Sequence, residues 1–100
     1  MPGIITCVIK GFGNAIAKDI YNGIRNRQLP TQLQRIVLRK LRYLDNTADL
    51  HDLRVPPGNR LKRLTGKRKG QYSIRINDQY RICFSWKNGN AYRIEIVDYH

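Results

Sequence analysis

Tyr99 and His100, the last two residues of the sequence, can each move a proton. The run Arg60, Lys62, Arg63, Lys67, Arg68 and Lys69 is cationic and has no acidic residue within it. Histidine, with an ordinary pKa of ~6.5, is a natural acid or base near neutrality. Tyrosine, at ~10, acts as a base near neutrality only where neighbouring cations lower its pKa. Guanidinium stays charged and grips phosphate through paired donors. These residue types suffice for RNA cleavage without a metal, in which a ribose 2′-OH attacks the adjacent phosphate. The protein must then remove one proton, give another to the departing 5′ oxygen, and stabilise the charge that builds on phosphorus. A Tyr-His pair is also ordinary packing and a basic run is also an ordinary solvated surface. Residue types alone leave both readings open.

Other chemistries have weaker support. The two histidines and two cysteines show no metal-binding spacing, and carboxylates are too scarce for a two-metal nuclease. No metal and no cofactor are expected. Gly11-Phe12-Gly13 is too little for a phosphate-cradling loop, and no carboxylate pair stands out for acid–base work. His51 sits in a polar turn close to two aspartates, Asp49 and Asp52, and reads as structural.

The bulk properties point to a polyanionic partner. Nineteen Lys and Arg stand against seven Asp and Glu, a net charge of +12 over 100 residues. Such an excess costs self-repulsion and favours nucleic acid or an acidic protein. A hydrophobic content of 41% argues for a folded domain, and the length suits one domain spanning 1–100. No apolar run is long enough to span a membrane, and residues 1–7 do not resemble a signal peptide. Cys7 and Cys83 both lie in strand-like patterns and read as buried free thiols of a cytoplasmic protein.

The elements that must position these residues are legible in outline. Ile4 to Phe12 is rich in β-branched residues and predicts a first strand. Asn14 predicts an N-cap for a short helix whose face is Ile16, Ile20, Tyr21 and Ile24, with Gly23 near its end. Pro30-Thr31 opens a longer helix to about Asn46, with Leu33, Ile36, Val37, Leu41 and Leu44 facing the core. Arg35, Arg39 and Arg42 form a ridge on its other side, a surface for RNA or protein or simply a solvated face. Thr47 to Leu53 reads as a turn with a short helical stretch, and Pro56-Pro57-Gly58 stops further helix. The whole predicts an α+β fold in the order β-α-α-β-β-β-β, with two helices on one face of a mostly antiparallel sheet.

Register carries a functional clue. Three strand patterns occupy the last third: QYSIRI, YRICFSW and AYRIEIV. A two-residue turn at Asn77-Asp78 would set Ile74 opposite Arg81 and mix the faces. An odd loop pairs Tyr72 with Phe84 and Ile74 with Ile82, and brings Arg75 beside Arg81 on the other face. Across Asn88-Gly89-Asn90, pairing Trp86 with Tyr92 sets Ile94 by Phe84 and Ile96 by Ile82. Arg93, Glu95, Val97 and Tyr99 then join Arg75 and Arg81, and Tyr72, Tyr80, Trp86 and Tyr92 fall to the core. Glu95, the sole glutamate, reads as a structural ion-pair partner.

Several stretches carry a resemblance. Val8-Ile9-Lys10-Gly11-Phe12, Leu53-Arg54-Val55-Pro56-Pro57-Gly58-Asn59-Arg60-Leu61, Tyr80-Arg81-Ile82-Cys83-Phe84 and Val97-Asp98-Tyr99-His100 are similar to the HigB toxins of the RelE/ParE superfamily, most closely the subgroup that includes GraT. The resemblance implies a RelE-like fold and a ribosome-dependent mRNA endonuclease acting in the A site. It also implies neutralisation by a HigA-type helix-turn-helix antitoxin, through which operator DNA is bound. Residue by residue, Tyr99 and His100 match the family's C-terminal pair and Arg81 its strand arginine. The His-Lys pair that some members carry after the PPG stretch is absent, with Lys62 and Thr65 at those positions. The implied catalytic set is therefore Arg81, Tyr99, His100 and Lys62, with Arg60, Arg63, Lys67, Arg68, Lys69 and Arg75 binding RNA. Residues 1–7 precede the family's usual start, as a strand extension or from an upstream start codon. A non-catalytic toxin, a ParE-like gyrase inhibitor or a basic RNA-binding module, is the alternative.

Overall fold

Asn14 begins the first helix and also fastens it. In a computed structural model that describes residues 8–99, its Oδ1 accepts from Ala17 N at 3.1 Å, closing the N-terminus of α1, Ala15–Tyr21. Its Nδ2 donates to Ile96 O at 2.9 Å, so the cap ties the helix to the sheet. Gly23 then takes a φ of 76°, which glycine adopts without penalty, and the chain turns away. Ile24, expected to extend the helix face, lies past that turn and is 55% exposed.

The second helix, α2, spans Thr31–Asp45. Leu33, Val37, Leu41 and Leu44 are buried, while Ile36 is only half-buried at the edge of the stripe. Truncating a fully buried leucine such as Leu41 to alanine costs about 2–5 kcal/mol. Arg35, Arg39 and Arg42 are exposed as expected. At the end of α2, the buried Asp45 gathers three segments: its carboxylate accepts from Ile9 N at 2.9 Å and Tyr21 Oη at 2.5 Å, and its carbonyl from Val8 N at 3.0 Å.

A four-stranded antiparallel sheet follows in the order β1-β2-β3-β4: Lys62–Arg63, Gln71–Arg75, Tyr80–Lys87 and Asn90–Asp98. The β2–β3 register is the expected one, with Tyr72 opposite Phe84, Ile74 opposite Ile82 and Arg75 opposite Arg81. Ile74, Ile82, Phe84, Ile94 and Ile96 pack with the helix residues in one core. The short strand β1 lies within the segment read as a basic loop.

The β3–β4 hairpin differs from expectation. Asn88 and Gly89 both have positive φ, 53° and 78°, so the turn has two residues and sets Trp86 opposite Ala91, not Tyr92. A bulge at Arg93, with φ 55°, inserts one residue and restores Ile82 opposite Ile96. Tyr92 consequently pairs with Ser85 and stands on the face away from the helices, so its assignment to the core is corrected. The same bulge explains the first strand. Residues 8–12 run beside β4 through isolated parallel bridges, Ile9 to Ala91 and Phe12 to Ile94, because the ladder is interrupted between them. The part of that strand before Val8 lies outside the described residues.

Between α2 and the sheet, 3₁₀ turns at Leu50–Arg54 and Pro57–Asn59 aim the basic segment. Asn59 is buried at the centre of this connection. Its Nδ2 donates to Leu53 O at 3.2 Å and Val55 O at 3.4 Å, and its Oδ1 accepts from Lys40 Nζ at 2.5 Å. His51 is exposed and rests on Asp49, the cap of the first turn.

Candidate active site

The face of the sheet away from the helices is built in rows. Lys62, Ser73, Cys83 and Glu95 lie opposite one another across the strands, and Arg75, Arg81 and Val97 form the next row. Neighbouring strands are ~4.8 Å apart, so side chains in a row touch or bridge. Ser73 and Cys83 are fully buried, because longer side chains fold over them. Arg68 reaches across the face from the turn Gly66–Arg68, donating to Gln71 Oε1 and Glu95 Oε1, each at 3.0 Å. Gly13 supports that bridge from below. A Cβ there would lie 2.6 Å from Glu95 Cγ, so only glycine lets the chain pass this close.

Arg81 is held from both sides. One Nη donates to Ser73 Oγ at 2.9 Å, and the guanidinium carbon lies 5.2 Å from the centre of the Tyr99 ring. That separation is within range for a cation–π contact. Tyr99 is 44% exposed, and its backbone N donates to Gln79 O at 2.5 Å, fixing the chain just beyond β4. The ring closes one side of a cleft of about 270 Å³ lined by Lys62, Arg63, Leu64, Thr65, Lys67, Arg68 and Tyr99. Among the described residues, no carboxylate lines it. Such a cleft concentrates positive potential and suits a phosphate with a hydroxyl-bearing ring beside it.

The residues singled out from sequence are therefore partly assembled. Lys62, Arg63, Lys67, Arg68 and Tyr99 line the cleft, and Arg81 joins them through the Tyr99 ring. Arg60, in a left-handed conformation with φ 45°, and Lys69 are exposed but do not line it. Arg75 lies opposite Arg81 and is paired with Asp78. Arg68 is not a free cation, since Glu95 holds it. His100 lies outside the described residues, as does Cys7. Cys83 is a buried free thiol whose pKa is pushed up, first by burial; Arg68 and Arg81 oppose that shift and Glu95 adds to it. Among the described residues, no group of His, Cys, Asp or Glu converges as a metal site would require.

Ser73 was missed by sequence reasoning. A serine at a polar position of an alternating strand gives no signal, and its role depends on Arg81 lying diagonally across on β3.

A family model described as "RelE-like toxin of type II toxin-antitoxin system HigB" matches residues 10–100. The chain belongs to the HigB-like toxin family. It is a type II toxin by that membership. Over 67 residues it is 46% identical to Toxin HigB-1 of Vibrio cholerae, covering 67% of this chain and 70% of that one. Over 93 residues it is 28% identical to Endoribonuclease HigB of Proteus vulgaris, covering 93% of this chain and all of the relative, 100%. Among solved structures, the YoeB-YefM complex from Staphylococcus aureus matches with a TM-score of 0.52 and 18% identity, over 92% of this chain and 97% of that one. That likeness concerns the fold alone, and it gives this HigB-like chain a RelE-like architecture. No helix among the described residues is long and apolar enough to cross a membrane.

Proposed function

We propose that this HigB-like toxin is a metal-independent endoribonuclease that cuts mRNA on the ribosome. The observation that carries the reading is the placement of Tyr99 in a cationic cleft with the Arg81 guanidinium against its ring. The mRNA supplies the nucleophile. Its 2′-OH attacks phosphorus, the bond to the 5′ oxygen breaks, and the products carry a 2′,3′-cyclic phosphate and a 5′-OH. Arg81 and Lys62 balance the charge gained by the phosphoryl oxygens, and Tyr99 and His100 divide the two proton transfers. Arg63 and Lys67, with Arg60 and Lys69 outside the cleft, hold the flanking phosphates of mRNA or rRNA. Arg75 and Arg68 act nearer the sheet, where each already has an acidic partner.

The relative named an endoribonuclease supports this chemistry, as does the family's character as toxins. A cytoplasmic ribosome is the target, and a HigA-type antitoxin is the neutralising partner. Primer extension on an mRNA, with and without ribosomes, tests the reading. Breaks that need both ribosomes and Arg81 are expected, and Arg81→Ala should slow them about 10²- to 10³-fold while antitoxin binding persists. Intact mRNA accompanied by DNA breaks would overturn the proposal in favour of a gyrase poison.

A further inference from the structure

The geometry points to Ser73 as the positioning residue for Arg81, acting through the hydroxyl it presents from inside the sheet. This rests on the nuclease reading for its effect on rate, but not for the contact itself. Ser73 is fully buried on β2, between Lys62 and Cys83 in its row. A buried hydroxyl needs a partner, and Ser73 Oγ accepts from Arg81 at 2.9 Å. Arg81 is itself only half-buried, and its long side chain would otherwise sample many rotamers. With one Nη held by Ser73, the tilt of the planar fork is restrained while its other donors remain available to a phosphate. The Tyr99 ring, 5.2 Å away, is then stacked on an oriented guanidinium. Ser73 is buried and does not line the cleft. It sets the direction in which Arg81 meets the phosphate, which matters because transition-state donors must be aimed before reaction.

Three variants and a spectroscopic measurement test this. Ser73→Ala should slow single-turnover cleavage of ribosome-bound mRNA about tenfold, equivalent to about 1.4 kcal/mol, with ribosome affinity unchanged. Ser73→Thr keeps the hydroxyl and should recover the rate. In an Arg81→Ala background, Ser73→Ala should cause no further loss, because the group it orients is gone. Independently of activity, the Arg81 guanidinium should rotate slowly by nitrogen NMR in the parent protein and faster in Ser73→Ala. A Ser73→Ala enzyme with the parent rate and unchanged Arg81 rotation overturns the inference. So does an equal loss in the Arg81→Ala background, the signature of a structural residue. If the parent protein cuts no RNA, the nuclease reading fails, and unchanged Arg81 rotation on Ser73→Ala would sink the positioning claim separately.

Discussion

Arg81 and Tyr99 come from different strand ends, yet the guanidinium carbon of one lies 5.2 Å from the ring centre of the other. Under the nuclease proposal, the pair links the phosphate-binding group to a proton-carrying one. Tyr99→Phe keeps the ring and its contact with Arg81 but removes the hydroxyl, whereas Tyr99→Ala removes both. Under the nuclease proposal, Tyr99→Phe should lower cleavage by about 10²- to 10⁴-fold with little change in thermal stability. Gel assay of ribosome-bound mRNA checks this. A Phe variant as active as the parent would limit Tyr99 to stacking and leave the proton transfers to His100.

Glu95 restrains the cationic face. Its side chain is 20% exposed and pairs with Arg68 at 3.0 Å. Replacing it with glutamine frees one cation and raises the net charge by one. Bare single-stranded RNA should then bind more tightly, with a salt dependence steeper by about 0.7 in log–log slope. Stability should fall by about 1 kcal/mol, the upper end for partly exposed pairs. Salt titrations of RNA binding and a urea melt measure both. Unchanged RNA affinity would mean that Arg68 stays pinned by Gln71 alone.

Much of this architecture was legible because hydrophobic parity constrains antiparallel strands. Ile74 and Ile82 must share a face, and that requirement alone set the β2–β3 register and brought Arg75 opposite Arg81. The next hairpin was misread at Tyr92. An arginine at φ 55° adds a residue to β4, and nothing in the side chain of Arg93 announces a bulge. The charge pattern located the cationic cleft, since local runs of Lys and Arg are visible without a fold. It did not separate free from engaged cations. Arg68 meets Glu95 27 residues away, and that partnership depends on the sheet being assembled.

Cys83 should be a slow thiol. Burial raises its pKa above the ordinary 9.0, so near neutrality even less of it is thiolate than for a free cysteine, and it is only 1% exposed. Iodoacetamide at pH 8 should label Cys83 far more slowly in the native protein than in urea, as read by peptide mass spectrometry. Fast native labelling would mean that the Arg68 and Arg81 side chains covering it open readily.

Lys40 and Asn59 form the joint between α2 and the turn that launches the basic segment, with Nζ donating to Oδ1 at 2.5 Å. Burial lowers the Lys40 pKa below 10.5, and Arg39 and Arg75 lower it further. The folded protein therefore binds this proton less tightly than the unfolded chain does. Between the lowered folded value and 10.5, the unfolded state holds more protons, so this group makes stability rise with pH across that window. Lys40→Met should abolish that rise, as urea melts on the alkaline side would show. Asn59→Ala should cost about 1–3 kcal/mol, because it strips Lys40 of its acceptor and the Leu53 carbonyl of a donor. Combining the two substitutions should cost less than their sum, since the ammonium left without an acceptor is no longer there. Strict additivity would show that Lys40 is solvated in the native state and that Asn59 secures the turn alone.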